Sequence, residues 1–79
     1  MGSYDFLRET LVSEFGVREQ AISADASLES LGMDSLSMAE LIREVEEEYG
    51  IVLTDEDAAF STLGEAAAIV DALVNESKG

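Results

Sequence analysis

One residue in this chain is placed to take part in chemistry: Ser35, in the run Gly32-Met33-Asp34-Ser35-Leu36. The run follows a loop and opens a predicted helix, so the hydroxyl lies near unpaired backbone N–H groups and the positive end of the helix dipole. A phosphate ester is favoured at such a position. The competing explanation is that Asp34 or Ser35 serves only as a helix cap, since both residue types are preferred there. A catalytic serine needs a base within hydrogen-bond reach. The chain has no histidine, and its only lysine is Lys78 in the far tail. Ser35 therefore reads as a substrate for modification and not as a nucleophile in catalysis.

Other chemistry is excluded by inventory. Without cysteine there are no disulfides, thiolate metal sites or redox switches. Asp55 and Asp57 could pair for acid–base work, but on a thin exposed segment they should titrate as ordinary carboxyls. Asp55-Glu56-Asp57 also lacks the glycine and spaced oxygen ligands of an EF-hand loop. No metal site is expected beyond diffuse cation binding to acidic residues.

The elements that would position Ser35 follow from apolar spacing. Tyr4, Leu7, Leu11, Val12 and Phe15 predict a helix over 4–15, with Ser3 as its N-cap and Gly16 as its stop. Residues 16–34 lose that period and read as a long loop pinned by Val17, Ile22, Leu28, Leu31 and Met33, with a short helical turn around 27–31. A second helix starts at Asp34 or Ser35 and runs to about Tyr49, burying Met38, Leu41, Ile42, Val45 and Tyr49 before Gly50 ends it. Its opposite face carries Leu36, Glu40, Arg43, Glu44 and Glu47. Thr54 can cap a short third helix over 55–60. Thr62-Leu63-Gly64-Glu65 has capping-box spacing and opens a last helix ending near Asn75. The expected architecture is an all-α, small four-helix bundle in a single domain over 1–79, with a long loop between helices 1 and 2.

Charge then narrows the partners. Four basic residues against 18 acidic ones leave a formal net charge of −14. Nucleic acid and anionic membranes should repel such a surface, and partners should bring basic patches. The acidic run Glu44-Val45-Glu46-Glu47-Glu48 could equally be a solvated helix face. No apolar stretch is long enough to span a bilayer, and no secretory signal opens the chain, so a cytoplasmic protein is expected. The charge also argues for a monomer.

Leu31-Gly32-Met33-Asp34-Ser35-Leu36, with Ala39-Glu40-Leu41 and Glu46-Glu47-Glu48-Tyr49-Gly50-Ile51, resembles the acyl carrier protein family of fatty acid and polyketide synthesis. Length, four-helix layout and acidity agree with it over nearly the whole chain. The resemblance implies that Ser35 receives a 4′-phosphopantetheine arm from coenzyme A, attached by a magnesium-using phosphopantetheinyl transferase. Gly32, Met33, Asp34 and Leu36 form the attachment motif. The arm's thiol would then hold acyl groups as thioesters, and the chain itself would be no enzyme. Leu36, Glu40, Arg43, Glu44 and Glu47 would meet a ketosynthase, acyltransferase or other acyl-processing enzyme through many weak contacts. A core including Met38, Leu41, Val45 and Ile69 could part to admit a short acyl chain, or could be ordinary packing.

Two departures bear on partner choice. Arg43 interrupts the acidic face, either to meet an acid on a partner or to pair with Glu40, Glu44 or Glu47. Ser37 and Met38 do not separate primary fatty acid synthesis from a specialised pathway, and a slight preference falls on a freestanding carrier of the latter kind. A peptidyl carrier shares the arm and fold, although Asp34 before Ser35 is closer to the acyl type. The reading from a different class is an unmodified acidic module that binds a basic protein.

Overall fold

In the computed structural model, which describes residues 2–78 without the side chains of Ser77 and Lys78, the apolar stripes become three α-helices. These are α1 (Ser3–Phe15), α2 (Ser35–Tyr49) and α3 (Leu63–Lys78), with a single 3-10 turn at Glu19–Ala21. No strand occurs among the described residues; one isolated antiparallel bridge joins Ser27 to Thr62.

The three helices close on Leu7, Leu11, Leu41, Val45, Leu63 and Val70, each at most 2% exposed. Met38 and Leu73, also expected inside, are half-buried at its edge. Val12 does not join its stripe inward and stays exposed, whereas Thr10 is buried. The start of α1 also differs from expectation. Gly2 occupies the N-cap position, and Ser3 is already helical and buried. Its N–H donates to Asp71 Oδ1 at 2.9 Å and its hydroxyl donates to the Ala67 carbonyl at 2.9 Å. A carboxylate on α3 thus satisfies an N–H at the start of α1 that a local cap would otherwise serve. Edge-to-face packing of Phe6 on Tyr49, with centroids 5.5 Å apart, joins α1 to the end of α2.

The short third helix is not found; residues 55–58 form a single turn. Its capping signals are present: Asp57 N–H donates to Thr54 Oγ1 and Thr54 N–H to Asp57 Oδ2, both at 3.2 Å. Ala58 N–H reaches the Thr54 carbonyl at 2.9 Å. One closed turn leaves the nucleation cost without the later bonds that would offset it, and the chain leaves the turn to meet the first loop. There, Leu28 N–H donates to the Ser61 carbonyl, Leu63 N–H to Ala26 and Gly64 N–H to Ala24, at 2.9, 3.1 and 2.9 Å. These bonds fasten the long loop to the head of α3. The turn expected around 27–31 is present: Leu31 N–H meets the Leu28 carbonyl and Gly32 N–H meets Glu29, at 3.1 and 3.0 Å. The box at the head of α3 closes as its spacing predicts, with Glu65 N–H on Thr62 Oγ1 and Thr62 N–H on Glu65 Oε1. That helix runs on to Lys78, past the expected end near Asn75.

Candidate functional site at the head of the second helix

Met33 anchors the site. Its side chain is 6% exposed in the core, and its N–H donates to the Leu28 carbonyl at 3.1 Å. Just before it, Gly32 adopts φ 87°, a left-handed conformation that brings the chain out of the loop turn. Past this anchor, Asp34, Ser35 and Leu36 are all exposed, Leu36 to 69%.

Asp34 is the cap of α2. Its Oδ1 accepts from Ser37 N–H at 2.8 Å, and its backbone carbonyl accepts from Met38 N–H at 2.8 Å. Hydrogen bonds from the Ser37 backbone and hydroxyl hold the Asp34 carboxyl below its ordinary value. With Asp34 as cap, the Ser35 hydroxyl makes no hydrogen bond among the described residues. It stands free at the first helical position.

Beside it runs an open groove of ≈ 830 Å³, walled by Met33, Met38, Ala39 and Ile42 on one side and by Ala58 and Phe60 on the other. Ser27, Glu29 and Ser61 give it a polar edge. Of the four residues expected to admit an acyl chain, only Met38 lines this groove. Leu41 and Val45 are sealed in the core, and Ile69, half-buried on α3, lies outside the groove. Ala39, Ile42 and Phe60 are further apolar residues of its wall. Ile42 was legible from the core stripe, since a residue at its edge can face a groove. Phe60 carried no such signal, because its position depends on the pairing of two loops.

On the outer face of α2, Glu40, Arg43 and Glu47 are exposed with Leu36. Glu44 leaves this group. It is half-buried against Glu14 of α1, and the shared contact between the two carboxyls raises its pKa above the ordinary 4.5, with Glu47 and Glu40 adding repulsion. Glu46 is structural: its Oε2 accepts from Leu53 N–H at 2.8 Å and its carbonyl from Gly50 N–H at 2.9 Å, holding the reversal after α2. No grouping of acids that could hold a metal ion occurs among the described residues. No described helix is long and apolar enough to cross a membrane.

An exposed serine hydroxyl thus stands unbonded at a capped helix start on a small helical domain. The family model described as phosphopantetheine attachment site matches residues 5–70, and the chain belongs to that family. It is a phosphopantetheine-carrying carrier protein, and the cofactor of the family is 4′-phosphopantetheine, covalently attached. Domains of this kind are modified by a phosphopantetheinyl transferase, work with synthase enzymes and are generally non-catalytic.

Proposed function

We propose that this chain is an acyl carrier protein, with Ser35 as the attachment point of the arm and acyl intermediates carried as thioesters between enzymes of a fatty acid or polyketide-type pathway. The observation that carries this reading is the division of labour between two adjacent residues. Asp34 caps α2, and Ser35 is left exposed and unbonded beside an apolar groove. When attached, the arm supplies the thiol that this cysteine-free chain lacks.

The chain's own residues then orient and present. Met33 fixes the head of α2 to the core, and Gly32 turns the loop so that Ser35 faces solvent. Met38, Ala39, Ile42 and Phe60 offer apolar surface to a short acyl chain folded back along the groove. Leu36, Glu40, Arg43 and Glu47 face partners, and Glu44 supports them from the seam with α1. The chain acts as a cytoplasmic monomer, visited by one enzyme at a time.

Intact-protein mass after incubation with coenzyme A, magnesium and a broad-specificity phosphopantetheinyl transferase tests the attachment. One phosphopantetheinyl group is expected on the native chain and none on Ser35→Ala, which should fold normally because Ser35 is exposed. No gain on a folded native chain would overturn the reading. Competition between acyl and aminoacyl loading on the modified chain separates the acyl carrier from a peptidyl one.

A further inference from the structure

The exposed face of α2 carries an ordered charge pattern. At about 100° per residue, Leu36, Glu40, Arg43 and Glu47 fall within one narrow stripe, and at about 1.5 Å per residue the last three stand about 6, 10.5 and 16.5 Å beyond Leu36. Read outward from Ser35, the stripe is apolar, negative, positive, negative. Arg43 makes no ion pair among the described residues, although Glu40 and Glu47 lie at helical pairing distance in sequence. Glu47 follows the arginine by four residues, the weaker order for a helix pair. Glu46, three residues on, is engaged by Leu53 N–H through its Oε2, and the adjacent Glu44 meets Glu14. In a chain with four basic residues among 18 acidic ones, this cation is held on the outer face with no partner of its own.

We propose that Arg43 is a specificity-determining residue: it selects partner enzymes whose docking surface sets a carboxylate between two cations, next to an apolar depression for Leu36. The inference rests on the carrier reading above. A partner with an unbroken basic patch would meet Glu40 and Glu47 favourably but would bring a cation against Arg43. Like charges brought together at an interface disfavour a wrong partner. The acids supply attraction to basic surfaces in general, and Arg43 decides among them.

The probe is a fatty acid ketosynthase whose carrier-docking patch contains lysine and arginine but no acid, titrated calorimetrically with the phosphopantetheinylated chain at low salt. Arg43→Glu should tighten binding about 1.5- to 5-fold, the range of exposed charge pairs. Arg43→Ala, which adds no like charges to the helix, should tighten it by a smaller factor in the same direction. The patch cations of the ketosynthase are then reversed to glutamate one at a time. One of these reversals should invert the preference, so that the native chain binds more tightly than Arg43→Glu. Unchanged affinity in both Arg43 variants, or no inversion in the whole series, would overturn the inference. If Ser35 accepts the arm and Arg43 proves indifferent, the carrier reading stands and this inference falls. If Ser35 accepts no arm, both fall.

Discussion

Neighbouring residues at the head of α2 divide two tasks that a single residue could not perform together. A serine acting as cap would spend its oxygen on a backbone N–H; Asp34 takes that bond and leaves the Ser35 hydroxyl available. The ionised Asp34 carboxylate is the form that accepts from Ser37, so its folded pKa lies below the ordinary 3.8. A depressed carboxyl contributes stability above its unfolded value and loses that contribution as pH falls through the folded one. Asp34→Asn should therefore melt at a lower temperature than the native chain at pH 7, and the gap should narrow below pH 3.8, as followed by circular dichroism. A gap that stayed constant through the acid range would show that the carboxylate charge is not what the cap uses. The start of α2 at Asp34 and Ser35 was legible because its cap and apolar spacing are local signals. The sequence left open which of Asp34 and Ser35 was the cap, since both types suit the position and only the hydrogen bond decides. Ser3 departs from the cap its position suggests for a related reason: its N–H is served by Asp71, 68 residues away, and no local pattern encodes that.

Elements meet at two seams, and each makes a prediction. Where the long loop crosses the head of α3, a Cβ on Gly64 would lie 2.9 Å from the Ala24 carbonyl oxygen and 3.2 Å from Ala24 Cβ. The first obstacle is backbone, so the loop would have to move and the Gly64–Ala24 hydrogen bond would weaken. Gly64→Ala should destabilise by about 1–3 kcal/mol, the cost of overpacking, despite alanine's better helix propensity. Amide exchange should quicken at Leu28 and Leu63, which share the seam. Where α1 meets α2, the Glu14–Glu44 contact raises the Glu44 pKa above 4.5. A raised carboxyl loses stability as pH rises through its folded value, so Glu44→Gln should melt higher than the native chain at pH 7 and equally with it below pH 4.5. If the variant melted lower at neutral pH, the contact would be attractive and not repulsive. The three long helices were legible from their apolar stripes because that signal is periodic and local. The seams were not, because a bridge such as Ser27 to Thr62 joins two aperiodic segments. For the same reason, one closed turn at 54–58 could carry the capping signals of a helix without becoming one.

The molecule's dimensions set the range over which its charge acts. It measures 36 × 25 × 20 Å with a radius of gyration of 11.6 Å, and its formal net charge is −14. At about 0.15 M salt the screening length is about 8 Å, so each acid feels mainly its neighbours; at about 0.01 M it is about 30 Å, and nearly every acid feels every other. Self-repulsion opposes the compact state. The chain of 79 residues has only a thin core to set against it. The melting temperature should therefore fall as sodium chloride is lowered from about 0.15 M to about 0.01 M, the interval over which the screening length grows to span the molecule. Since no cluster of metal-binding side chains occurs among the described residues, magnesium should restore stability gradually as diffuse counterions do. Calorimetry should show no saturable site of fixed stoichiometry. A melt insensitive to salt would mean that the acids are already neutralised by local contacts. A saturating magnesium isotherm would place a specific site on the acidic surface. The salt-dependent result expected here would show that self-repulsion strains the free carrier, so a basic partner that docks and offsets that charge should itself raise the melting temperature.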